Sequence, residues 1–292
     1  MFAISSERQL NRGSTAEGTV QRLSRWGLLA LALAVVGLVQ ALGTAIPGVR
    51  DLESGLRDAA MALAARTEPD DRIAIVDIDE QSLLTTGKWP WPRERLADLA
   101  ERLLSDGGAE LVVFDLVLTD VESAAGSTGD DRLVAMAMAA RLVGSQAFDY
   151  AQRPLAMATG RAGGPRAPVH PLPSAAATGF IGNFAALAKA PCIGNIGVVP
   201  DPDGRIRRVA PFTSWSAGRY PTLALAALGC RQPAIDTLKL AAKLPIARDG
   251  WWAIPFRHRP DAWYSLSAGH VLAGDLPRSP GDRPALAGRI VL

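Results

Sequence analysis

Apolar residues are most concentrated near the N-terminus, in one long uncharged run. No charged residue occurs from Trp26 to Val49, and about 20 consecutive apolar residues are enough to span a bilayer. This run predicts one N-terminal transmembrane helix over residues 26–46. A cleaved signal peptide is the alternative, because Gly43-Thr44-Ala45 offers small residues for cleavage. The apolar run is nevertheless longer than the apolar segment of a typical signal peptide, which favours the anchor.

The segment before this run sets the predicted orientation in the membrane. Residues 1–25 carry basic residues at Arg8, Arg12, Arg22 and Arg25 and acidic residues at two positions only. Positively charged flanks stay on the cytoplasmic side of a membrane helix. We therefore expect a cytoplasmic basic tail over residues 1–25, an inner-membrane anchor, and a main domain on the periplasmic or extracytoplasmic side.

The pattern changes to helical spacing directly after the predicted membrane helix. In residues 51–68, apolar side chains recur at Leu52, Leu56, Ala59, Ala60 and Leu63. Spacings of three and four residues place apolar side chains on one face of a helix. This segment is therefore predicted to be a juxtamembrane helix that leads from the membrane into the main domain.

The main domain, residues 72–292, opens with alternating strand and helix patterns. A short apolar run at 73–78 predicts a buried strand, a helix follows Pro92, and a second strand is predicted at 111–118. Strand, crossover helix and strand form a βαβ unit, whose two strands are expected to be parallel neighbours.

Short β-like runs then alternate with short helices as far as a final strand at 288–292. The predicted fold class is α/β, a mixed sheet with flanking helices behind one transmembrane helix. We expect the domain to be incomplete at its C-terminal side, because the last strand is strongly apolar.

Composition excludes some partners and leaves one covalent question open. The formal net charge is +2 and aromatic residues are 6% of the chain, so neither a basic surface nor a base-stacking platform for nucleic acid is indicated. Cys192 and Cys230 lie in the exported part, where an even pair could be bridged. Two separate buried thiols are the alternative.

Two acidic residues at the end of the first predicted strand raise the question of catalysis. Asp77 and Asp79, with Asp115 after the apolar residues 111–114 of the next predicted strand, could hold Mg²⁺ in a phosphohydrolase or bind a cation. Against catalysis, Gln81 stands where such enzymes have Thr or Val. The structural alternative is that Asp79 caps a short helix at 80–85 and that Asp77 pairs with Arg93 or Arg95. We expect no enzyme activity and no cofactor.

The sequence Trp89-Pro90-Trp91-Pro92 places two indoles in a rigid segment before the helix. They either close the end of the core or form one wall of a ligand pocket or a dimer contact.

Four ordered motifs make the chain resemble the CHASE2 domain family. The opening "RIAIVDIDEQSL" is followed by "VVPDPDGRIRRVAPF", "GRYPTLALAALG" and "AGRIVL", as in that family. The resemblance implies an extracytoplasmic sensory domain of a bacterial transmembrane receptor. It also implies further membrane helices and a cytoplasmic kinase or nucleotide cyclase, none of which follows in this sequence. It transfers no ligand-binding residue.

The sequence thus predicts a membrane-anchored sensor of a small molecule or an ion. The ends of parallel strands line the binding crevice in open α/β sheets. The candidate ligand-binding residues are Asp77, Asp79, Trp89, Trp91, Arg93 and Asp115. The helix at 51–68 would transmit the signal, and a homodimer is possible. The alternatives are a periplasmic metal-dependent phosphohydrolase and a non-signalling envelope interaction module.

Overall fold

The computed structural model describes residues 47–68, 70–120, 128–164, 166–167 and 171–292, together with the isolated positions 27, 34 and 37. The predicted tail at 1–25 and, apart from those three positions, the predicted transmembrane helix at 26–46 lie outside the described residues. Among the helices that are described, none combines the length and the apolar character needed to cross a membrane. The chain divides into two units, Met1–Ala64 and Ala65–Leu292, which are described separately.

Helix α1 (Pro47–Ala64) is the described part of the first unit. It covers most of the predicted juxtamembrane helix but ends before residue 68. The second unit begins with extended backbone, in which Arg66 donates its amide hydrogen to Arg257 O (2.7 Å) and accepts one from Arg259 (3.0 Å). These bonds, around a bridge to His258, use the backbone groups that a longer helix would need.

The second unit alternates strands and helices in its first half and consists mostly of short strands in its second half. Its helices are α2 (Glu80–Thr86), α3 (Arg93–Ser105), α4 (Thr128–Met138), α5 (Leu223–Arg231), α6 (Thr237–Ala241) and α7 (Ala268–Ala273). Its longer strands are β1 (Ile73–Asp77), β2 (Leu111–Val113), β3 (Leu142–Asp149), β6 (Gly179–Ile181), β7 (Ile193–Asn195), β9 (Phe212–Trp215), β10 (Gly218–Pro221) and β12 (Tyr264–Ser267). Its two-residue strands are β4 (Ala158–Thr159), β5 (Ala175–Ala176), β8 (Arg208–Val209), β11 (Trp252–Ala253), β13 (Arg278–Ser279), β14 (Arg283–Pro284) and β15 (Ile290–Val291).

The main sheet has the order β12-β1-β15-β2-β3-β6-β4, and β7 also pairs with β3. The strands from β12 to β3 are parallel to their neighbours, while β6 runs antiparallel to β3. The second half adds three antiparallel pairs, β9 with β10, β8 with β11 and β13 with β14. The prediction of a mixed sheet with flanking helices is therefore confirmed.

The C-terminal strand β15 occupies the centre of the parallel region, between β1 and β2. Ile290 lies opposite Ile73 on one side and opposite Leu111 on the other. The prediction that β1 and β2 are neighbours was therefore wrong, although both strands have the same direction. Sequential strands are neighbours only about two-thirds of the time, and the fully buried Val291 gains more apolar contact between two strands than at an edge.

The second predicted strand is also shorter than expected. It ends at Val113, where the sequence predicted a strand to residue 118. Leu118 N–H donates to the side chain of the buried Asn183 (3.1 Å), and Ser145 Oγ donates to Leu116 O (2.8 Å). Side chains of other elements thus form hydrogen bonds with the backbone at residues 116 and 118, and these backbone groups do not pair with a neighbouring strand.

The period-two alternation of strand side chains divides the core between the two faces of the sheet. Val112 packs in one cluster with Leu96, Leu103 and Leu133 from α3 and α4. Its neighbours Leu111 and Val113 point to the opposite cluster, which includes Leu223 and Ala226 of α5. The main sheet therefore lies between helices, and the ends of its parallel strands form an edge between them.

A disulfide joins Cys192, next to β7, to Cys230 in α5. The sequence left this pairing open because it does not give the distance between a cysteine in a loop and one at the end of a helix. In the structure α5 packs on β7 and β3, and this packing brings the two thiols together. The bond fixes α5 covalently to its face of the sheet.

Candidate functional site

Asp79 lies where β1 turns into α2, and its side chain caps that helix. Its Oδ1 accepts hydrogen bonds from Ser82 N (2.8 Å), Ser82 Oγ (2.6 Å) and Ser267 Oγ (2.8 Å). The predicted capping role is confirmed. The hydrogen bonds from Ser82 and then Ser267 hold the pKa of the Asp79 carboxyl below its usual range.

The capping interaction continues into a network that connects two distant segments. Ser82 is fully buried, and its Oγ accepts the amide hydrogen of Gly269 (2.8 Å) in α7. Ser82 Oγ and Ser267 Oγ are also within hydrogen-bond distance (2.8 Å). The first turns of α2 and α7 are therefore fixed to each other by hydroxyl groups.

This network occupies one of the two carboxylate oxygens of Asp79. A nucleophile or metal ligand needs an accessible oxygen, and Oδ1 of Asp79 already accepts three hydrogen bonds. Within the described ranges, no group of three or more His, Cys, Asp or Glu residues is placed to hold a metal ion. Oδ1 of Asp79 is therefore engaged in capping α2.

Asp77 and Asp115 do come together at the carboxyl edge of the parallel strands. Asp77 ends β1, Asp115 follows β2 by two residues, and both are solvent-exposed. They border a cavity of about 220 Å³ between the strand ends and α3. The remaining lining is apolar: Val76, Ile78, Leu96, Leu99, Leu103, Val112, Val113, Phe114, Leu116, Val291 and Leu292. Among the described lining residues, Asp77 and Asp115 thus contribute the two ionisable side chains, and the other side chains are hydrocarbon.

The predicted ion pair between Asp77 and Arg93 or Arg95 was wrong. Arg93 lies 3.3 Å from Asp130 of α4 and donates to Asp120 O (3.0 Å). Arg95 donates to Thr86 O (2.6 Å) at the end of α2. Both guanidinium groups therefore secure helix ends, and no described side chain forms an ion pair with Asp77.

The two tryptophans have different environments. Trp91 is 3% exposed and its indole N–H donates to Gly87 O (2.8 Å). Trp89 is 46% exposed, and its ring centroid lies 6.1 Å from that of Trp91. Trp91 closes the core beside α3, as the structural alternative predicts. The residues that line the cavity at Asp77 do not include Trp89, Trp91, Asp79 or Arg93.

The "PDPDGRIRR" segment is a self-contained turn. Arg207 lies 2.8 Å from the Asp201 carboxylate and 2.6 Å from that of Asp203, and Arg207 lowers the pKa of Asp203 to about 2. Gly204 adopts a left-handed conformation with φ of 80°, which suits glycine. The charges of this motif are paired within the turn, so the motif has a structural role.

Sequence reasoning missed most of the cavity lining. Leu96, Leu99 and Leu103 share one face of α3, and their helical spacing was visible in the sequence. Val291 and Leu292 reach the cavity because β15 enters the sheet beside β1. That placement depends on a strand pairing that no local pattern reveals.

Comparison with known proteins identifies one family. The model of the CHASE2 domain family matches residues 30–292 of this chain. No curated protein and no solved structure gives a significant match.

Proposed function

Because the chain belongs to the CHASE2 family of extracytoplasmic sensory domains, we propose that it is the signal-input part of a membrane-anchored bacterial receptor. Residues 26–46 anchor it in the inner membrane with the N-terminus in the cytoplasm, and the main domain senses the extracytoplasmic side. Ligand binding is relayed to a cytoplasmic kinase or nucleotide cyclase. The uncharged run at 26–46 and the arginines before it support this topology.

The cavity at the carboxyl edge of the main sheet carries the proposal of a ligand site. Ligands of open α/β sheets bind outside the carboxyl ends of the strands, and small-molecule sites are mostly apolar with a few polar groups. Asp77 and Asp115 supply two negative charges, and none of the described residues that line the cavity is basic. An organic cation with a hydrocarbon body satisfies both features, whereas an anion would face two carboxylates.

Signalling requires that the ligand bind two conformations unequally. A cation held by both Asp77 and Asp115 bridges the ends of β1 and β2, with β15 between them. Its binding favours the conformation in which these strand ends are close. Strand β1 follows α1 in the chain through residues 65–72, so a shift of β1 has a direct covalent route towards the membrane helix.

Calorimetry on the full chain in lipid nanodiscs tests the ligand class. The probe is hexylammonium, and hexanol and hexanoate have the same chain length without the positive charge. We expect hexylammonium to bind most tightly, because only the ammonium group gains from the two carboxylates. Tighter binding of hexanoate, or equal binding of all three compounds, would contradict the assignment.

The variants Asp77→Asn and Asp115→Asn locate the site. Each removes one negative charge without changing the size of the side chain, and each is expected to weaken hexylammonium binding severalfold. Asp275→Asn is the matched control, because Asp275 is exposed and does not line the cavity. If all three variants bind hexylammonium like the unmodified chain, the ligand site lies elsewhere.

A further inference from the structure

A second cavity opens at the opposite edge of the main sheet, where strands β2 and β3 begin and helix α5 ends. Its volume is about 500 Å³. Among the residues that the structure describes, those that line it belong to the second unit. They include the guanidinium groups of Arg141 and Arg231 and the carboxylate of Glu110. Both signs of charge are therefore present in this cavity, in contrast to the cavity at Asp77.

Glu110 and Arg231 form an ion pair that uses one of the two carboxylate oxygens. Arg231 Nε donates to Glu110 Oε2 (2.7 Å), and Nη2 of the same guanidinium lies 2.7 Å from that oxygen. Cys230, the residue before Arg231, is bonded to Cys192 and holds this end of α5 on the sheet. The Glu110 side chain is therefore held in place, and its Oε1 accepts no hydrogen bond from a described residue.

Arg141 has a fixed backbone and a guanidinium group that forms no ion pair with a described side chain. Its amide donates to Met136 O (3.0 Å) in α4, and its carbonyl accepts from Val112 (3.0 Å) in β2. Ala140 before it has a left-handed conformation with φ of 56°, as is usual just after a helix end. The guanidinium makes one long hydrogen bond, from Nη2 to Ala109 O (3.4 Å). Its other N–H groups are free to bind an anion.

The cavity thus holds one positive and one negative group that can each take a further partner. Arg141 contacts the carbonyl of the residue before Glu110, so one small molecule can reach both groups. A guanidinium group binds a carboxylate through two parallel hydrogen bonds, and a carboxylate oxygen accepts a hydrogen bond from an ammonium group. A simple cation would meet two guanidinium groups, and a simple anion would leave Glu110 Oε1 unused.

We propose that this cavity binds an α-amino acid, with the carboxylate of the amino acid at Arg141 and its ammonium group at Glu110. An α-amino acid carries both groups on one carbon atom, which suits two protein groups that lie side by side. The positions of Arg141 and Glu110 are set before the ligand binds, so little ordering is needed on binding. This site is separate from the cation site proposed at Asp77 and does not depend on it.

Binding of three small molecules to the full chain in lipid nanodiscs tests the ligand class. The probes are L-alanine, propionate, which lacks the ammonium group, and ethylamine, which lacks the carboxylate. Saturation-transfer NMR titrations measure their affinities. We expect alanine to bind severalfold more tightly than propionate, and ethylamine to bind most weakly. No binding of alanine, or tighter binding of propionate than of alanine, overturns the proposal.

The variants Arg141→Gln and Glu110→Gln distinguish ligand contacts from damage to the fold. Arg141→Gln removes the carboxylate partner and should weaken both alanine and propionate about tenfold, since hydrogen bonds between charged groups are strong. Glu110→Gln should weaken alanine and leave propionate at least as tightly bound, because it removes a negative charge from the cavity. Arg248→Gln is the matched control, because Arg248 is exposed and does not line the cavity. If both cavity variants bind alanine like the control, or Glu110→Gln weakens both ligands equally, the assignment is wrong.

One further variant separates this site from the proposed cation site. Asp115→Asn should leave alanine binding unchanged, because Asp115 lies at the other edge of the sheet and lines the other cavity. Loss of alanine binding in Asp115→Asn would place the amino acid in the cavity at Asp77 and would overturn the assignment made here. Failure of hexylammonium to bind the unmodified chain would overturn the cation site alone.

Discussion

Removal of the Ser82 hydroxyl tests the network that fixes α2 to α7. Ser82 is fully buried, and its Oγ accepts the amide hydrogen of Gly269 at 2.8 Å. In Ser82→Ala this amide, itself in a buried residue, keeps no acceptor. A buried polar group without a partner costs about 1–3 kcal/mol. We therefore expect the free energy of unfolding to fall by about 2 kcal/mol, a change of roughly 30-fold in the unfolding equilibrium.

Urea denaturation of the full chain in detergent, followed by circular dichroism, measures this loss. The slope with urea should stay unchanged, because the same surface is exposed on unfolding. Ser105→Ala is the matched control: its exposed hydroxyl donates to Glu101 O at 2.8 Å at the end of α3. We expect this control to change stability by less than about 0.5 kcal/mol. Equal losses of stability in Ser82→Ala and Ser105→Ala would refute the reasoning, because Ser82→Ala is the substitution that leaves a buried amide without an acceptor.

Two other predictions concern the Asp79 carboxylate and the disulfide. Because hydrogen bonds lower the pKa of Asp79 in the folded chain, its contribution to stability is complete above the ordinary carboxyl pKa of about 4 and is lost as the pH falls through the lowered value. Asp79→Asn should therefore reduce the urea midpoint at pH 7 more than at pH 3, and equal reductions would contradict this. Replacing Cys192 and Cys230 by serine opens a loop of 38 residues and should cost about 4 kcal/mol by the loop-entropy relation. Reductant should then destabilise the unmodified chain and leave this variant unaffected.

Local patterns were sufficient to predict the elements whose signal lies within a few residues. The helix predicted after Pro92 is α3, which begins at Arg93. Asp79 caps α2 because a carboxylate just before a helix can reach the free amides of its first turn. Neither prediction needs knowledge of the rest of the chain.

Interactions between distant segments could not be predicted in this way. Ser267 contributes to the Asp79 cap from 188 residues away, and a serine hydroxyl leaves no periodic pattern in the sequence. Arg93 or Arg95 was expected to pair with Asp77, but α4 places Asp130 beside Arg93 instead. The choice between partners is made by helix packing.

The candidate site was predicted in part for a general reason. Asp77 and Asp115 both follow parallel strands, and the carboxyl ends of such strands share one edge of the sheet. Their association at one cavity therefore follows from strand direction alone. The apolar wall from α3 and β15 depends on how the helix crosses the sheet and on which strand separates β1 from β2.

Strand β15 is synthesised long after β1 and β2, yet it lies between them in the sheet. Until residues 290–291 arrive, β1 and β2 each present an unpaired edge with the right direction to bond to the other. Contacts between segments so far apart in the chain slow folding, and open strand edges invite incorrect pairing. The folding chain therefore has to keep this gap open until β15 is synthesised. We expect its yield of correctly folded protein to depend on chaperones that shield strand edges.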